Sequence, residues 1–231
     1  MTAVIQSSRA NFNGVYYFRG GAENVTIGCY GVKRTPGVGQ NRLEVDDQIQ
    51  PRFLKVQEPT VVDINFSQTS TGEFEEGVSA PIKVLTDIGV DATLSASQVF
   101  SSMRSGELKL AKFAIRLNDL RDAANADREA FNDLRNMGFR ARVAHEVWVV
   151  METKLFNSFS ASGSLDVSGT VDKINVTATV NAGGFLSRTS TIELSAGTTF
   201  CYLLANPQFD KRLKRRRTKI ERFTQDQWGI S

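Results

Sequence analysis

Between Lys173 and Val180 the chain alternates without a break. Ile174, Val176, Ala178 and Val180 are apolar, while Lys173, Asn175, Thr177 and Thr179 are polar. Successive residues of a strand face opposite sides, so this period of two predicts an amphipathic β-ribbon. Past Gly183 and Gly184 the habit resumes at Ile192 and Leu194. Upstream, Val143 to Phe159 carries β-branched and aromatic residues for far longer than the usual strand of about 5 to 6 residues. Period-two alternation fits either a face packed on a core or a face that meets lipid.

A different period separates these β stretches from the first half of the chain. Leu117, Leu120, Ala124, Phe131, Leu134 and Met137 recur at steps compatible with three and four, and Asp119, Arg121, Asp122, Arg128, Glu129 and Asp133 fill the other faces. This predicts one helix with its stripe on a sheet, Asn118 as N-cap and Gly138 as the stop. The first half reads as short strands. Gly14 to Arg19 and Val25 to Tyr30 are joined by Gly20 to Glu23 as a hairpin, Lys33 to Gln40 forms a flexible basic loop, and Arg52 to Val56 and Val61 to Phe66 are further strands. Pro51 and Pro59 are kept out of central ladder positions. The expected class is α+β, a twisted, mainly antiparallel sheet with flanking helices.

At 231 residues, with 41% hydrophobic and 23% charged, the chain has the length of one generous domain or two small ones and the composition of a folded globule. The richest apolar run, Val147 to Met151, is far short of the about 18 residues of a transmembrane helix. The first residues lack the basic leader and apolar stretch of a secretory signal, so secretion by that route is not expected and the protein is expected in the cytoplasm. Asn24, Asn65 and Asn175 open glycosylation sequons, read as accidents of strand composition.

The net charge of +3 conceals an asymmetry: residues 210–231 hold eight cations against three anions, leaving 20 against 22 in residues 1–209. The expected division is a body over 1–209 and a basic tail over 210–231. Lys211, Arg212, Lys214, Arg215, Arg216, Arg217, Lys219 and Arg222 make the tail a site for a polyanion, be it nucleic acid, an acidic headgroup or an acidic protein face.

Catalytic signatures are missing from the sequence. His145 is the only histidine, lies inside an apolar strand with no nucleophile elbow, and reads as structural. No metal-ligand spacing occurs, and Cys29 and Cys201 stand 172 positions apart. Gly37-Val38-Gly39 lacks the third glycine and following helix of a dinucleotide site. The carboxylates at Asp46, Asp47, Glu73, Glu75 and Glu76 read as a solvated face. Neither an enzyme nor a cofactor is expected.

Two amphipathic β stretches, 61–115 and 142–204, flank the helix, and the second closes on Ser190-Thr-Ile-Glu-Leu-Ser-Ala-Gly-Thr-Thr-Phe-Cys-Tyr-Leu-Leu204. This order resembles the pore-forming domain of the gasdermins. Val143 to Leu155 is similar to the strand that opens that family's second hairpin, and Phe100 to Leu120 to the passage after its first; the resemblance covers about residues 45–205. It implies a protein that oligomerises on acidic membranes, with copies of itself or a related chain, and inserts β-hairpins that kill the cell. Hairpin residues would include Val147, Val149, Met151, Ile174, Val176, Ala178 and Val180, and lipid would be met by the tail cations with Lys33, Arg34 and Arg42. Animal members carry a C-terminal inhibitory domain and many bacterial members a lipidated cysteine near the N-terminus. This chain is expected to resemble the short members without either.

Silence would then need another device. One candidate is a disulfide latch, with Cys29 accessible at a strand end and Cys201 in a core strand between Phe200 and Tyr202. Two rivals stand beside the pore-former: a nucleic-acid-binding module using the tail, disfavoured because Phe223 and Trp228 lie beyond the charge cluster, and a structural β protein such as a viral-particle sandwich.

Overall fold

The computed structural model describes residues 3–5, 9–34, 41–63, 82–85, 92–94, 109–151, 173–180, 188–195, 197–210 and 219–229. Among them, in chain order, lie β1 (Ala3–Ile5), β2 (Arg9–Phe12), β3 (Val15–Phe18), β4 (Cys29–Arg34), β5 (Arg42–Gln48), β6 (Thr60–Asp63), β7 (Ile82–Leu85) and β8 (Ala92–Leu94). There follow β9 (Lys109–Ala114), α1 (Leu117–Ala126), α2 (Arg128–Met137), β10 (Ala141–Val150), β11 (Lys173–Val180), β12 (Arg188–Ser195), β13 (Thr199–Phe209) and β14 (Ile220–Asp226).

Ten strands form an open sheet in the order β1-β2-β3-β13-β10-β4-β5, with β14 added to β13, β9 to β10 and β6 to β9. All pairings between named strands are antiparallel. With two helices laid on it, the class is α+β, as the sequence leads one to expect. Strand alternation sends neighbouring residues into different clusters of the core. Val143 and Ala205 pack with Leu120, Ala124 and Leu134 of the helices. Ala144 and Leu204, their neighbours along the strands, pack with Phe18, Ala22, Val25, Cys29 and Leu43.

Long-range contacts override several local expectations. The helical stripe is two helices, broken at Asp127, whose backbone is extended (φ −86°, ψ 101°). One Asp127 carboxylate oxygen accepts from the N–H groups of Glu129 (3.2 Å) and Ala130 (3.3 Å), capping α2, and the other accepts from Gln50 N (2.9 Å). That double demand fixes the break. Arg116, not Asn118, holds the N-cap position of α1. Gly138 does end α2, with φ 67° and its N–H on Leu134 O. No hairpin joins β3 to β4: the intervening chain makes a 3₁₀ turn at Ala22–Asn24. Tyr202 holds it there by donating its hydroxyl to Gly20 O at 2.8 Å while accepting from Leu43 N at 2.9 Å. Residues 52–56 likewise hold a 3₁₀ turn (Pro51–Phe53) and one bridge at Val56, not a strand. The hairpin of β4 and β5 needs a glycine at its bulge, because a Cβ on Gly31 would lie 1.9 Å from Glu44 O.

The C-terminal residues join the body: β14 pairs with β13 from Leu204↔Asp226 to Phe209↔Ile220. The boundary expected at 210 therefore does not hold for residues 220–226, since Ile220 and Phe223 are buried in the helix-side core. The Asn125 amide grips the Ile220 backbone from both sides, donating to its O (2.9 Å) and accepting from its N (2.8 Å). At the far end Asp226, 7% exposed, receives Lys33 Nζ at 2.9 Å and the Arg142 guanidinium. Removing one member of a buried charge cluster leaves the others uncompensated, so Asp226→Ala is expected to cost about 3 to 5 kcal/mol. Urea unfolding should show a lower midpoint at unchanged slope; a loss below about 1 kcal/mol would mean the two cations do not depend on this carboxylate.

Candidate functional site

Four adjacent strands of the main sheet end together. Asp63 of β6 pairs with Lys109 of β9, Met151 N donates to Lys109 O (3.0 Å), and Val150 of β10 exchanges backbone bonds with Thr198 (3.0 Å) and Gly197 (2.8 Å) before β13. From this one end the chain makes two excursions, one between Asp63 and Lys109 and one between Met151 and Gly197. The first contains β7 and β8 and the second β11 and β12.

These four strands form a second antiparallel sheet in the order β11-β12-β7-β8. Residues directly opposite in antiparallel strands share a face. The register Ile174↔Leu194, Val176↔Ile192, Ile192↔Val84, Val84↔Ala92 and Ile82↔Leu94 therefore collects apolar positions on one face. Asn175↔Glu193, Thr177↔Thr191, Thr179↔Thr189 and Lys83↔Thr93 collect polar positions on the other. The polar face takes one apolar exception, Leu85 opposite Thr191, and the apolar face two polar ones, Ser190 opposite Ala178 and Arg188 opposite Val180. Among the described residues no helix is long and apolar enough to cross a membrane.

The sequence-predicted residues divide. Ile174, Val176, Ala178 and Val180 all lie in β11. Val147, Val149 and Met151 do not belong with them: β10 is an inner strand of the main sheet, and these three are buried against Phe18, Val25 and Cys29. They are core because both edges of β10 are already paired. The rest of the long β stretch, 152–159, lies outside the described residues.

Of the cations, Lys33 is committed to Asp226 and is not an open lipid contact. Arg34 and Arg42 are exposed and opposite one another in β4 and β5, with Arg34 also paired to Glu44. Lys219 and Arg222 are exposed. Lys211, Arg212, Lys214, Arg215, Arg216 and Arg217 lie outside the described residues, and the described chain on either side of them is closed by Asp210 N on Lys219 O at 3.1 Å. Sequence reading missed Phe139, 83% exposed in a 3₁₀ turn (Gly138–Arg140). Arg142 Nη1 holds that turn through Phe139 O at 2.9 Å. The available signal was an aromatic residue directly after a helix-stopping glycine and before Arg140.

Both cysteines are buried, which corrects the expectation of an accessible Cys29. The Cys29 sulfur sits 3.0 Å from Thr26 Oγ1. Burial pushes the Cys201 thiol well up, so little thiolate exists to exchange. An intermolecular latch finds no reachable sulfur here.

Buried phenols Tyr17 and Tyr30 are pushed above their usual range by desolvation and then by the carboxylates that accept from them, Glu146 at 2.7 Å and Asp133 at 2.9 Å. An open cleft of about 380 Å³ beside Asp133 is lined by Glu44, Asp46 and Arg140, charges of both signs. No cluster of three metal-ligating side chains occurs among the described residues. No protein-family model matches the chain, and neither a curated protein nor a solved structure is significantly similar to it.

His145 supplies a pH dependence. Burial lowers its pKa from 6.5 to about 4, a hydrogen bond with the Ile115 backbone opposing, and its Nε2 finds no partner among the described residues. The unfolded chain takes up this proton first, so the stability is complete above about pH 6.5 and is lost as pH falls toward 4. At about 1.4 kcal/mol per pH unit, about 2 kcal/mol should disappear between pH 7 and pH 5. Urea unfolding of His145→Leu should lack that share of the loss; an equal loss in both proteins would show that His145 is not its source.

Proposed function

We propose that the protein permeabilises membranes, assembling on acidic lipid and inserting β-hairpins as a closed barrel. The observation that carries this reading is the second sheet: two excursions leave one end of a tightly packed body and join in a sheet with a mainly apolar and a mainly polar face. A barrel wall needs those two faces, one toward lipid and one toward water. Each excursion of 45 residues has chain enough for two crossings of about 9 to 11 residues. β11 and β12, eight residues each, must lengthen to span, and β7 and β8 more so. Open strand edges cannot remain in hydrocarbon, so insertion requires a ring of subunits.

The gasdermin resemblance supports the same reading through its order of parts, two hairpin regions either side of a helical segment. Lipid capture fits the six cations between Asp210 and Lys219, at about 1 kcal/mol per cation near an anionic surface, with Phe139 beside Arg140 as an apolar contact. The proposed protein waits in the cytoplasm and acts in the membrane, where opening kills the cell. The nucleic-acid alternative loses one of its two aromatic platforms, since Phe223 is buried, while Trp228 already stacks under the Arg9 guanidinium at 4.4 Å.

Dye release from liposomes of acidic lipid tests the proposal. A charge on the lipid face at midplane costs about 2 to 4 kcal/mol per subunit. Ala178→Arg should therefore abolish release while the thermal unfolding of the free protein stays near wild type. Phe139→Ser should weaken flotation with the liposomes several-fold and leave unfolding unchanged. Release undiminished by both Ala178→Arg and Val176→Arg would remove β11 from the barrel, and retention on nucleic acid without any release would favour the rival.

A further inference from the structure

The two sheets order their strands differently. Where the excursions leave the body the neighbours run β6, β9, β10, β13. Continuing each strand outward would set the hairpins side by side as β7, β8, β11, β12, with β8 against β11. The second sheet runs β11, β12, β7, β8 instead, and its contact between hairpins is β12 against β7. The hairpins have exchanged places. Along the chain the two strands that meet are the neighbours of β13 and β6, which stand furthest apart of the four at the base, with β10 and β9 between them.

The same order arises in a ring in which the unit β7-β8-β11-β12 repeats. There β12 of one subunit lies beside β7 of the next. Strand directions agree as well: outward and return strands alternate around the ring, so that junction is antiparallel, as the contact in the single chain is. In lipid the β7 and β12 edges of a subunit must be covered by neighbours, at several kcal/mol for each backbone group left unpaired. In the single chain the same two edges cover one another.

We propose that the β7–β12 contact is the subunit interface of the pore held within one chain. On assembly a second copy of this chain takes over each edge, and β8 and β11 pair inside the subunit. The proposal rests on the pore-forming reading. The exchange replaces a pairing by the same pairing between chains, the economy of a domain swap. The contact is suited to being surrendered: among the described residues it spans two residue pairs, Thr191↔Leu85 and Ile192↔Val84, against eight between β11 and β12. It also covers the β7 and β12 edges in the free chain, where β11 and β8 are the outer strands instead. Silence before assembly then needs no disulfide.

A cross-link reads the exchange directly. Opposed residues in antiparallel strands have Cα atoms about 4.5 to 5.5 Å apart, within disulfide reach. The protein carrying both Val84→Cys and Ile192→Cys, oxidised in solution, should run as a monomer with one internal cross-link and release dye from acidic liposomes at least tenfold more slowly than after reduction. Reduced first, allowed to assemble on the liposomes and then oxidised, it should give a ladder of covalent multimers. Equal mixtures of the two single variants should give dimers only, and the wild-type chain under the same oxidant should give neither. Leaking assemblies that cross-link only within chains, or a soluble chain that does not cross-link internally, would overturn the interface. Absence of release from the wild-type chain would remove the pore reading and this interface together, whereas release without cross-links between chains removes the interface alone.

Discussion

A strand buried on both faces has to satisfy its backbone along both edges, and the architecture follows from how β10 meets that demand. One edge is taken by β13 between Val143 and Val149. The other is shared, by β4 at Ala141 to Val143 and by β9 from Glu146 to Val150. At the handover Ala144 O accepts from Gly28 N and His145 O from Ile115 N, each at 2.8 Å. No carbonyl is left stranded where two partners diverge. This division brings the start of β9 beside the end of β10, and so brings the two excursions out at one end.

A body built this way is ill suited to conversion, which bears on the proposed pore. Val147, Val149 and Met151 are apolar, yet removing them from the sheet would open the core cluster they share with Phe18, Val25 and Cys29 and break pairing with β9 and β13 together. Among the described residues no strand of the second sheet pairs with β10, and the hairpins of that sheet are joined to each other by two residue pairs. In the proposed pore the extent of pairing, rather than any difference in hydrophobicity, separates what must stay folded from what is free to rearrange.

How much could be read beforehand depended on the sequence distance of the deciding partner. The strand Lys173–Val180 matches its alternation residue for residue, because period two is local. The helix stop at Gly138 was legible for the same reason. The break at Asp127 was not, since its second carboxylate oxygen serves Gln50, 77 positions away. Lys33 read as a loop cation because Asp226 stands 193 positions on. Cys29 read as accessible because the neighbours that bury it, Phe18 and Tyr202 among them, come from β3 and β13. The alternating face of the candidate site was visible in the sequence; the order of its hairpins was not, for nothing within a hairpin states which neighbour it will choose.

The return of β14 to the sheet changes what the basic stretch can do. A free arm explores a volume that grows with its length, and its charge acts on whatever comes near. Here the chain leaves the described fold at Asp210 and re-enters at Lys219, with a backbone bond between them, and β14 is fastened at one end by Asn125 and at the other by Asp226. Phe131 of α2 stacks edge-on against Phe209 at 6.2 Å, tying the departure point to the helix that leads to Phe139. The cations are thus tethered at both ends to the rigid body. Attraction to an anionic surface would then orient the protein as well as concentrate it. Orientation matters more for a barrel than for simple adhesion, because neighbours on a surface can exchange strands only when their hairpins meet in the same sense.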